Sequence, residues 1–438
     1  MSTTDRPSPL EEIERAVQAR AKQRNVHAGS DAGNAALRGL ISEEIERWRA
    51  DFQRGGRPHD LVDADAIVER ALRNLVGYGP LGPLLTDDDV WEVMINAPTE
   101  IFVKRHRGPS GYHHEVFHDD EHVVRTLTKL LDDSSTSHRK LDPAEGLQDA
   151  QLDDGSRVHI VHSDIARGGH LIVNIRKFTG VAYRSLDELV AAGTLSAQVA
   201  GFLGACVRAR CSMMVAGVPG AGKTTLLSCC AAELDPTLRV VVAEEVFEAD
   251  VPVANVASMQ TRAARSDRPA VDLRRLVSGF LRMAPDVAIV GEVRDREALP
   301  LLLTLSSGVQ GFTTIHASSA RQSLTRLRFI AQLADGADLP LAALNTLVSD
   351  AIDVVVHCVR TPAGPRVSSV LAVEDLSGPA DATQFTTTEV FVRDPATGAL
   401  QWTGHVPVRL GRALHEHGTD IRALLSTGGR TPRTGVAP

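Results

Sequence analysis

The sequence predicts an α/β protein built from two domains and an N-terminal helical extension. Its 438 residues are too many for a single hydrophobic core. From about residue 210 onward, short apolar runs of strand length alternate with helix-like stretches, which is typical of a parallel sheet flanked by helices. Residues 60–182 mix strands and helices without that alternation, and we interpret them as an α+β domain.

The predicted boundaries follow these changes in pattern. Residues 1–58 form a mobile or helical extension, 59–183 the α+β domain, 184–408 the α/β domain with a C-terminal β-hairpin, and 409–438 a C-terminal segment with a disordered tail. Ser185 and Glu188 form a capping box at the start of the α/β domain.

Helical spacing predicts amphipathic helices over 41–54, 61–77 and 120–133, whereas residues 1–35 are polar and expected to be mobile. Strands are predicted around Val90–Ile95 and Ile101–Lys104 and on both sides of the turn at Asp154. A helix over about 196–210 leads into the α/β domain. Its five predicted strands are Met213–Ala216, Val240–Ala243, Val287–Val290, Phe312–Ile315 and Val354–Cys358.

The composition is that of an ordinary globular chain, and its net charge argues against a protein that binds nucleic acid. The net charge is −8, whereas a nucleic-acid binder normally carries a basic balance or a basic stripe. Five cysteines without a C-x-x-C pair argue against a disulfide framework or a zinc site, and we expect reduced, buried thiols. The N-terminus lacks the apolar core of a signal peptide, so we expect a cytoplasmic protein that docks on a membrane only through partners.

The stretch "AGVPGAGKTT" carries the strongest functional signal. Gly217, Gly222, Lys223 and Thr224 match the spacing G-x-x-x-x-G-K-[ST] of a phosphate-binding loop, or P-loop. Glycines let backbone N–H groups reach a phosphate chain, the lysine reaches its outer phosphates, and the threonine hydroxyl holds Mg²⁺. The predicted ATP-binding residues are Gly217, Val218, Pro219, Gly220, Ala221, Gly222, Lys223, Thr224 and Thr225.

Acidic residues at strand ends supply the second half of such a site. "DVAIVGEVRD" places Glu292 after an apolar run about 70 residues beyond the P-loop, where an acid handles Mg²⁺ and water. "VVVAEEVFEAD" places Glu244 and Glu245 at another strand end, with Glu248 nearby. Either Glu244 or Glu292 orients the attacking water, and the residues alone do not show which. Thr224 and Glu292 are the predicted magnesium ligands.

A histidine and several arginines complete the candidates. "GFTTIHASS" places His316 at a strand end, where it can form a hydrogen bond with a terminal phosphate. Guanidinium groups stabilise charge on a leaving phosphoryl group, often across a subunit boundary. The arginines in or beside apolar stretches are Arg157, Arg176, Arg262, Arg274 and Arg282.

Together these segments resemble the secretion ATPase superfamily of type II and type IV secretion systems, and within it the CpaF branch of Flp/Tad pilus assembly. The resemblance covers residues 60–408. It rests, in order, on "GYGPLGPLL" with "VWEVMIN", "DAQLDDGSRVHI", "IRKF", the P-loop, Glu244–Glu245, "LRMAPDVAIVGEVRDREAL" and "GFTTIHASS".

The resemblance implies a homo-hexameric ring that hydrolyses ATP between a RecA-like P-loop domain and the N-terminal domain. Such rings drive inner-membrane pilus or secretion platform proteins, so the implied location is peripheral, at the inner face of the cell membrane. By position, Lys223 and Thr224 take the phosphate and magnesium roles, Glu292 the second nucleotide motif, Glu244 and Glu245 the acidic box, and His316 the histidine box. Arg157 and Arg176 match arginines that can face the nucleotide.

This chain departs from the family pattern at three points. Its loop reads "GVPGAGKTT" where "GGTGSGKTT" is common, and Pro219 lacks a backbone N–H donor. Glu245 stands where the family usually has Asp. The tetra-cysteine module of type II secretion ATPases is absent, which favours the pilus branch.

Two other function classes share these motifs. A nucleic-acid motor on the same fold would show hydrolysis stimulated by DNA, and the acidic net charge argues against it. A nucleotide-binding regulator or scaffold would form rings and bind ATP without turnover, and the altered loop and acidic box leave room for it.

Overall fold

Two units, Met1–Thr179 and Gly180–Pro438, make up the chain. The computed structural model describes residues 8–106, 108–134, 140–177, 183–262, 268–333, 339–377, 384–394 and 396–426. The predicted fold class is confirmed, since the first unit combines helices with an antiparallel sheet and the second is an α/β unit on a largely parallel sheet. Most of the predicted disordered tail lies outside the described residues.

Three helices open the first unit: α1 (Pro9–Gln23), α2 (Asp31–Gln53) and α3 (Ala64–Val76). Their apolar faces form one buried cluster. The expectation that residues 1–35 are mobile is wrong for α1, because Ile13, Val17 and Ala21 recur every fourth residue and supply a buried stripe. Ser8 caps this helix by accepting a hydrogen bond from the Glu11 N–H at 3.2 Å.

An antiparallel sheet with helices on one face completes the first unit. Its strands lie in the order β3-β2-β1-β6-β5-β4. Alternate residues such as Val93, Val158 and Ile175 enter a core shared with α5, so the residues between them face the other side. The elements are α4 (Leu81–Thr86), β1 (Val90–Ala97), β2 (Glu100–Arg105), β3 (Gly111–Tyr112), α5 (Asp120–Asp132), β4 (Leu147–Gln151), β5 (Arg157–Val161) and β6 (Ile172–Arg176).

A buried polar contact connects α1 to the rest of this unit. The Glu14 carboxylate, only 4% exposed, accepts a hydrogen bond from the Asn74 side chain at 2.7 Å. Its other oxygen lies 2.9 Å from Nε2 of His118, in the segment before α5. Burying a carboxylate is costly unless polar groups satisfy it. These contacts therefore fix α1 at one position on the unit.

The second unit is built on a nine-stranded sheet in the order β15-β14-β13-β12-β7-β11-β10-β8-β9. The six strands from β12 to β9 pair in parallel, and β13, β14 and β15 extend the sheet as antiparallel strands. The strands are β7 (Met213–Gly217), β8 (Val240–Glu244), β9 (Val256–Gln260), β10 (Val287–Val293), β11 (Gln310–Ile315), β12 (Val354–Thr361), β13 (Gly364–Val373), β14 (Thr387–Arg393) and β15 (Leu400–Trp402). All five strands predicted for this domain are present.

Helices cover both faces of this sheet, which is why its central strands are apolar throughout. Met213 and Val215 of β7 enter one core, and Met214 and Ala216 enter the other. The helices are α6 (Leu186–Ala191), α7 (Ala197–Arg208), α8 (Lys223–Ala231), α9 (Leu273–Val277), α10 (Ala298–Ser306), α11 (Ala320–Leu333), α12 (Leu341–Ala351), α13 (Val408–Glu416) and α14 (Ile421–Ser426). Ser185 caps α6 as predicted, accepting from the Glu188 N–H at 3.2 Å.

The five cysteines are in the state that the sequence predicts. Cys206, Cys211, Cys229, Cys230 and Cys358 are all buried free thiols, as predicted. Burial raises the pKa of Cys229 and Cys358 to about 12.

Among the described residues, no helix combines the length and apolar character needed to cross a bilayer.

Helix α13 is anchored to the sheet by a partly buried ion pair. Arg409 lies 2.8 Å from one oxygen of Asp353, whose other oxygen accepts from the Ser212 N–H at 2.8 Å. The same guanidinium also donates to the Ser349 carbonyl. Burial raises the pKa of Asp353 even though Arg409 opposes this shift. Without Arg409, the carboxylate would lose its cation in a desolvated position.

Replacing Arg409 with Met should therefore destabilise the second unit by about 2 kcal/mol, because a partly buried charge loses its partner. Arg412 on the same helix offers a matched control, since its pair with Asp375 is exposed. Arg412→Met should change stability by less than about 0.5 kcal/mol. Urea unfolding followed by circular dichroism measures both, and equal midpoints for the two variants would contradict this account.

Candidate functional site

The P-loop connects the end of β7 to the start of α8, at the carboxyl edge of the parallel strands. A Cβ on Gly217 would lie 2.3 Å from the carbonyl oxygen of Cys358 on the neighbouring β12, so this position accepts only glycine. Gly222 has φ +82° and caps α8. The loop therefore presents the N-terminus of α8, where backbone N–H groups and the helix dipole favour an anion.

The crest of the loop is a tight turn from Val218 to Ala221. The Ala221 N–H donates to the Val218 carbonyl at 3.2 Å, and Gly220 has φ +71°. Proline at the second position and a glycine of positive φ at the third are the residues that a type II turn favours. The Pro219 nitrogen is not used in the hydrogen bond of such a turn. The departure from the common family loop thus leaves this turn intact.

Lys223 begins α8 and is only 8% exposed. Its ammonium lies 3.2 Å from the Val218 carbonyl and 3.2 Å from Nδ1 of His316. The same Nδ1 also lies 3.3 Å from the Gly217 carbonyl oxygen, so it would accept from Lys223 but would have to donate to Gly217. Nε2 lies 2.7 Å from a carboxylate oxygen of Glu292. The structure therefore connects three of the predicted residues in the order lysine, histidine, glutamate.

The Glu292 carboxylate is held between two cationic or donor groups. One oxygen faces His316, and the other lies 2.7 Å from the guanidinium of Arg294. Burial raises the pKa of Glu292, but its close contacts with His316 and Arg294 outweigh burial and lower this pKa to about 2. Glu292 is therefore ionised at neutral pH.

The acidic box divides into three different environments. Glu244 is 3% exposed, and its Oε1 accepts from the N–H groups of Glu248 and Ala249 at 3.1 and 3.0 Å. Glu245 is exposed and lies 2.8 Å from Arg294. Glu248 turns back toward the P-loop, with its Oε2 3.4 Å from the Thr224 hydroxyl. Glu244 therefore shapes the loop, and Glu248 is the acid nearest to Thr224.

Glu248 and Arg294 are functional candidates that the sequence analysis did not select. The sequence pattern marks Glu248 only as a neighbour of Glu244 and Glu245. Its approach to Thr224 depends on the bend that Glu244 holds, which no periodic pattern shows. Arg294 lies two positions after Glu292, so on an extended chain both side chains point to the same side. That spacing was the available signal for Arg294.

The remaining predicted arginines occupy other places. In the first unit, Arg157 and Arg176 are directly opposite each other on β5 and β6. Glu92 on β1 faces Arg176 from the other side, and it also pairs with Lys104 at 2.6 Å. In the second unit, Arg262, Arg274 and Arg282 lie respectively after β9, in α9 and in a short 3₁₀ turn.

The residues around Thr224 fit a magnesium ion that is shared with a nucleotide. In the described part of the chain, no group of three or more His, Cys, Asp or Glu side chains forms a cage for a metal. Magnesium with a nucleotide typically takes one or two protein oxygens plus phosphate oxygens and water. The Thr224 hydroxyl and the Glu248 carboxylate supply hard oxygen donors of that kind.

The P-loop lies at the carboxyl edge of a parallel sheet, a histidine contacts its lysine, and an ionised glutamate contacts that histidine. These features define a P-loop nucleoside triphosphatase. The chain belongs to the family described as "Type II/IV secretion system protein", whose sequence model matches residues 74–379. This membership agrees with the predicted superfamily and with the prediction of a nucleotide-binding ATP hydrolase.

Named relatives come from several secretion and transfer systems. A putative conjugal transfer protein of Mycobacterium tuberculosis is 32% identical over 307 residues, covering 68% of this chain and 85% of that protein. The type IV secretion system protein PtlH of Bordetella pertussis is 29% identical over 300 residues, covering 63% and 87%.

Solved structures include the VirB11 ATPase of Brucella suis, at 26% identity and a TM-score of 0.36, covering 69% of this chain and 97% of that one. The pilus retraction motor PilT with bound ADP follows at 14% identity and a TM-score of 0.45, covering 78% and 87%. The family assignment rests on the sequence comparisons.

The low pKa of Glu292 predicts a specific dependence of stability on pH. The ionised carboxylate stabilises the folded chain by about 3 kcal/mol above its ordinary pKa, and this contribution is lost as pH falls from about 4.5 to about 2. Thermal melts of Glu292→Gln and the wild type should differ by a constant amount from pH 8 to 5.5.

Below about pH 4.5 that difference in melting temperature should shrink. Glu416→Gln serves as the control because Glu416 is exposed on α13, and it should leave the melting temperature almost unchanged throughout. A difference between Glu292→Gln and wild type that stays constant down to pH 3 would contradict the assignment.

Proposed function

We propose that this chain is a magnesium-dependent ATPase of the CpaF type, a homo-hexameric motor that powers assembly of Flp/Tad-type pili or protein secretion across the inner membrane. The observation that carries the proposal is the contact series at the P-loop, in which Lys223 meets His316 and His316 meets Glu292. This series supports the proposal because it connects a strand-end histidine and a strand-end acid to the lysine that would bind the outer phosphates.

The proposed chemistry is phosphoryl transfer to water. Backbone N–H groups of the loop and the Lys223 ammonium neutralise the outer phosphates of ATP, for which the lysine exchanges its contact with the Val218 carbonyl. Mg²⁺, held by Thr224 and an acid, would supply further charge neutralisation when bound. As Lys223 moves away, Nδ1 of His316 donates to the terminal phosphate; this requires a hydrogen on Nδ1, as does its 3.3 Å contact with the Gly217 carbonyl.

Glu248 is our choice for the acid that acts on the attacking water or the magnesium shell. Glu244 is committed to the backbone of its own loop, and Glu245 pairs with Arg294. Glu292 pairs with both Arg294 and His316. Glu248 lies beside the hydroxyl that the P-loop motif assigns to magnesium, and its charge also acts on Arg294.

The arginine pair of the first unit supports the proposed ring. Like charges directly opposite on neighbouring strands disfavour the pairing unless an anion compensates them. Glu92 lies opposite Arg176 on β1, and a phosphate chain is an anion that two neighbouring guanidinium groups can bind together. We propose that Arg157 and Arg176 add positive charge at a nucleotide bound in the ring, and that ring closure drives a membrane platform protein.

A second candidate is the ATPase of a conjugal-transfer or type IV secretion apparatus. It is favoured by the 32% identity to the putative conjugal transfer protein and by the match to PtlH. The chemistry would be the same, and only the transported cargo and membrane partner would differ. Deleting the gene and scoring pili separately from DNA transfer would distinguish pilus assembly from conjugal transfer.

The central test is ATP hydrolysis by the wild type beside Lys223→Ala, measured on size-separated oligomers with and without membrane partner. Activity confined to the ring and reduced at least about 100-fold in the variant is expected, since the lysine serves the transferring phosphates. Ring formation and ATP binding without turnover, even with the partner present, would instead identify a scaffold. Strong stimulation by DNA would favour a nucleic-acid motor.

The choice among the acids predicts unequal effects of isosteric substitutions. Glu248→Gln should lower kcat about 100-fold with little change in KM, because the acid acts mainly on the reaction step. Glu245→Gln should lower kcat by less than about fivefold, since it loses only an exposed pair with Arg294. Steady-state kinetics on purified rings measures both. Equal losses in the two variants would contradict the assignment.

A further inference from the structure

We infer that Arg360 is a positioning residue that holds the P-loop in its phosphate-binding shape. The residue lies near the end of β12, on the hairpin that β12 forms with β13. One guanidinium nitrogen donates to the carbonyl of Gly220 at 3.2 Å, across 140 residues of sequence. The inference rests on the proposed nucleotide-binding function and adds a residue outside the motifs.

The hairpin contacts the P-loop at three successive glycines. The Cys358 carbonyl lies against Gly217, Arg360 reaches Gly220, and a Cβ on Gly222 would lie 3.0 Å from Cβ of Pro365. Parallel pairing of β12 with β7 sets this register, since Cys358 is opposite Gly217. Arg360 and Pro365 are in turn opposite each other on the hairpin. The hairpin therefore forms one wall of the loop.

Arg360 acts on the turn at the crest. Gly220 occupies its third position, and the Gly220 carbonyl belongs to the same peptide as the Ala221 N–H. A positive donor on that carbonyl polarises the peptide and fixes its plane, so the N–H groups that follow are held in place for an anion. Glycine has the widest choice of backbone conformations, so this peptide needs an external contact to keep one orientation.

The nature of the side chain matters for this role. A guanidinium presents several donors in a rigid plane, and Arg360 is exposed enough to keep its own hydration. Lysine retains the charge but carries a single, flexible ammonium group. The hydrogen bond from Arg360 to Gly220 should therefore affect the affinity for the phosphate chain and leave the rate of the bond-breaking step nearly unchanged.

The test compares Arg360→Ala and Arg360→Lys with Arg366→Ala in the full chain. Arg366 is the matched control, since it lies on the same hairpin with the same charge but donates to Pro365. Binding of a fluorescent ADP analogue, its displacement by tripolyphosphate, and the kcat and KM of ATP hydrolysis are measured. Arg360→Ala should weaken both ligands about tenfold and raise KM similarly, with kcat within about twofold. Arg360→Lys should restore part of the loss.

Affinities of Arg360→Ala within about twofold of Arg366→Ala would overturn the inference. A loss of kcat and melting temperature at unchanged KM and affinity would also overturn it, because it would mean that Arg360 only stabilises the hairpin. The wild type and Lys223→Ala are measured in parallel. Wild-type binding and turnover that Lys223→Ala abolishes show that the proposed function holds, so a null result at Arg360 then refutes this inference alone.

Discussion

The buried ammonium of Lys223 is the constraint around which the second unit is organised. A cation that is 8% exposed needs acceptors, and the structure supplies a loop carbonyl and a histidine nitrogen. These acceptors come from different elements: the crest of the P-loop and the end of β11. Neither of them carries a negative charge, so an incoming triphosphate offers the lysine a stronger partner than those it leaves.

Parallel pairing is what brings these elements together. β7 lies between β11 and β12, so the residues that leave their carboxyl ends meet at one edge of the sheet. His316 arrives from β11 and Glu292 from β10, while the hairpin beyond β12 forms the wall behind the loop. The site is thus assembled from long-range neighbours on a sheet that helices cover on both faces.

The sequence predicted the parts of the site that depend on local chemistry. Lys223 and Thr224 follow from glycine spacing, and Glu292 from an apolar run that ends in an acid. The strands of the α/β unit followed because both of their faces are apolar. The division of labour among Glu244, Glu245 and Glu248 did not follow, because it depends on how the backbone after β8 bends around one buried carboxylate.

Other features escaped sequence reasoning because they join distant segments. The contact of Arg360 with Gly220 spans 140 residues, and no local pattern marks an arginine on a hairpin as part of a P-loop. Helix α1 was missed because its stripe of Ile13, Val17 and Ala21 is short and interrupted by many charges. The roles of Arg157 and Arg176 at a nucleotide remain predictions, since their strands belong to the first unit.

The buried Glu14 carboxylate has a consequence for how the chain can vary in length. The family match begins at residue 74, in the last turn of α3, so most of the first three helices lie outside the region that the family shares. Yet Asn74 and His118, both inside the matched region, share their hydrogen bonds with a side chain of α1. Trimming the chain to the family boundary would leave these two polar groups facing a space once filled by a carboxylate. In this protein, two polar side chains of the shared region thus take hydrogen-bond partners from a helix outside it.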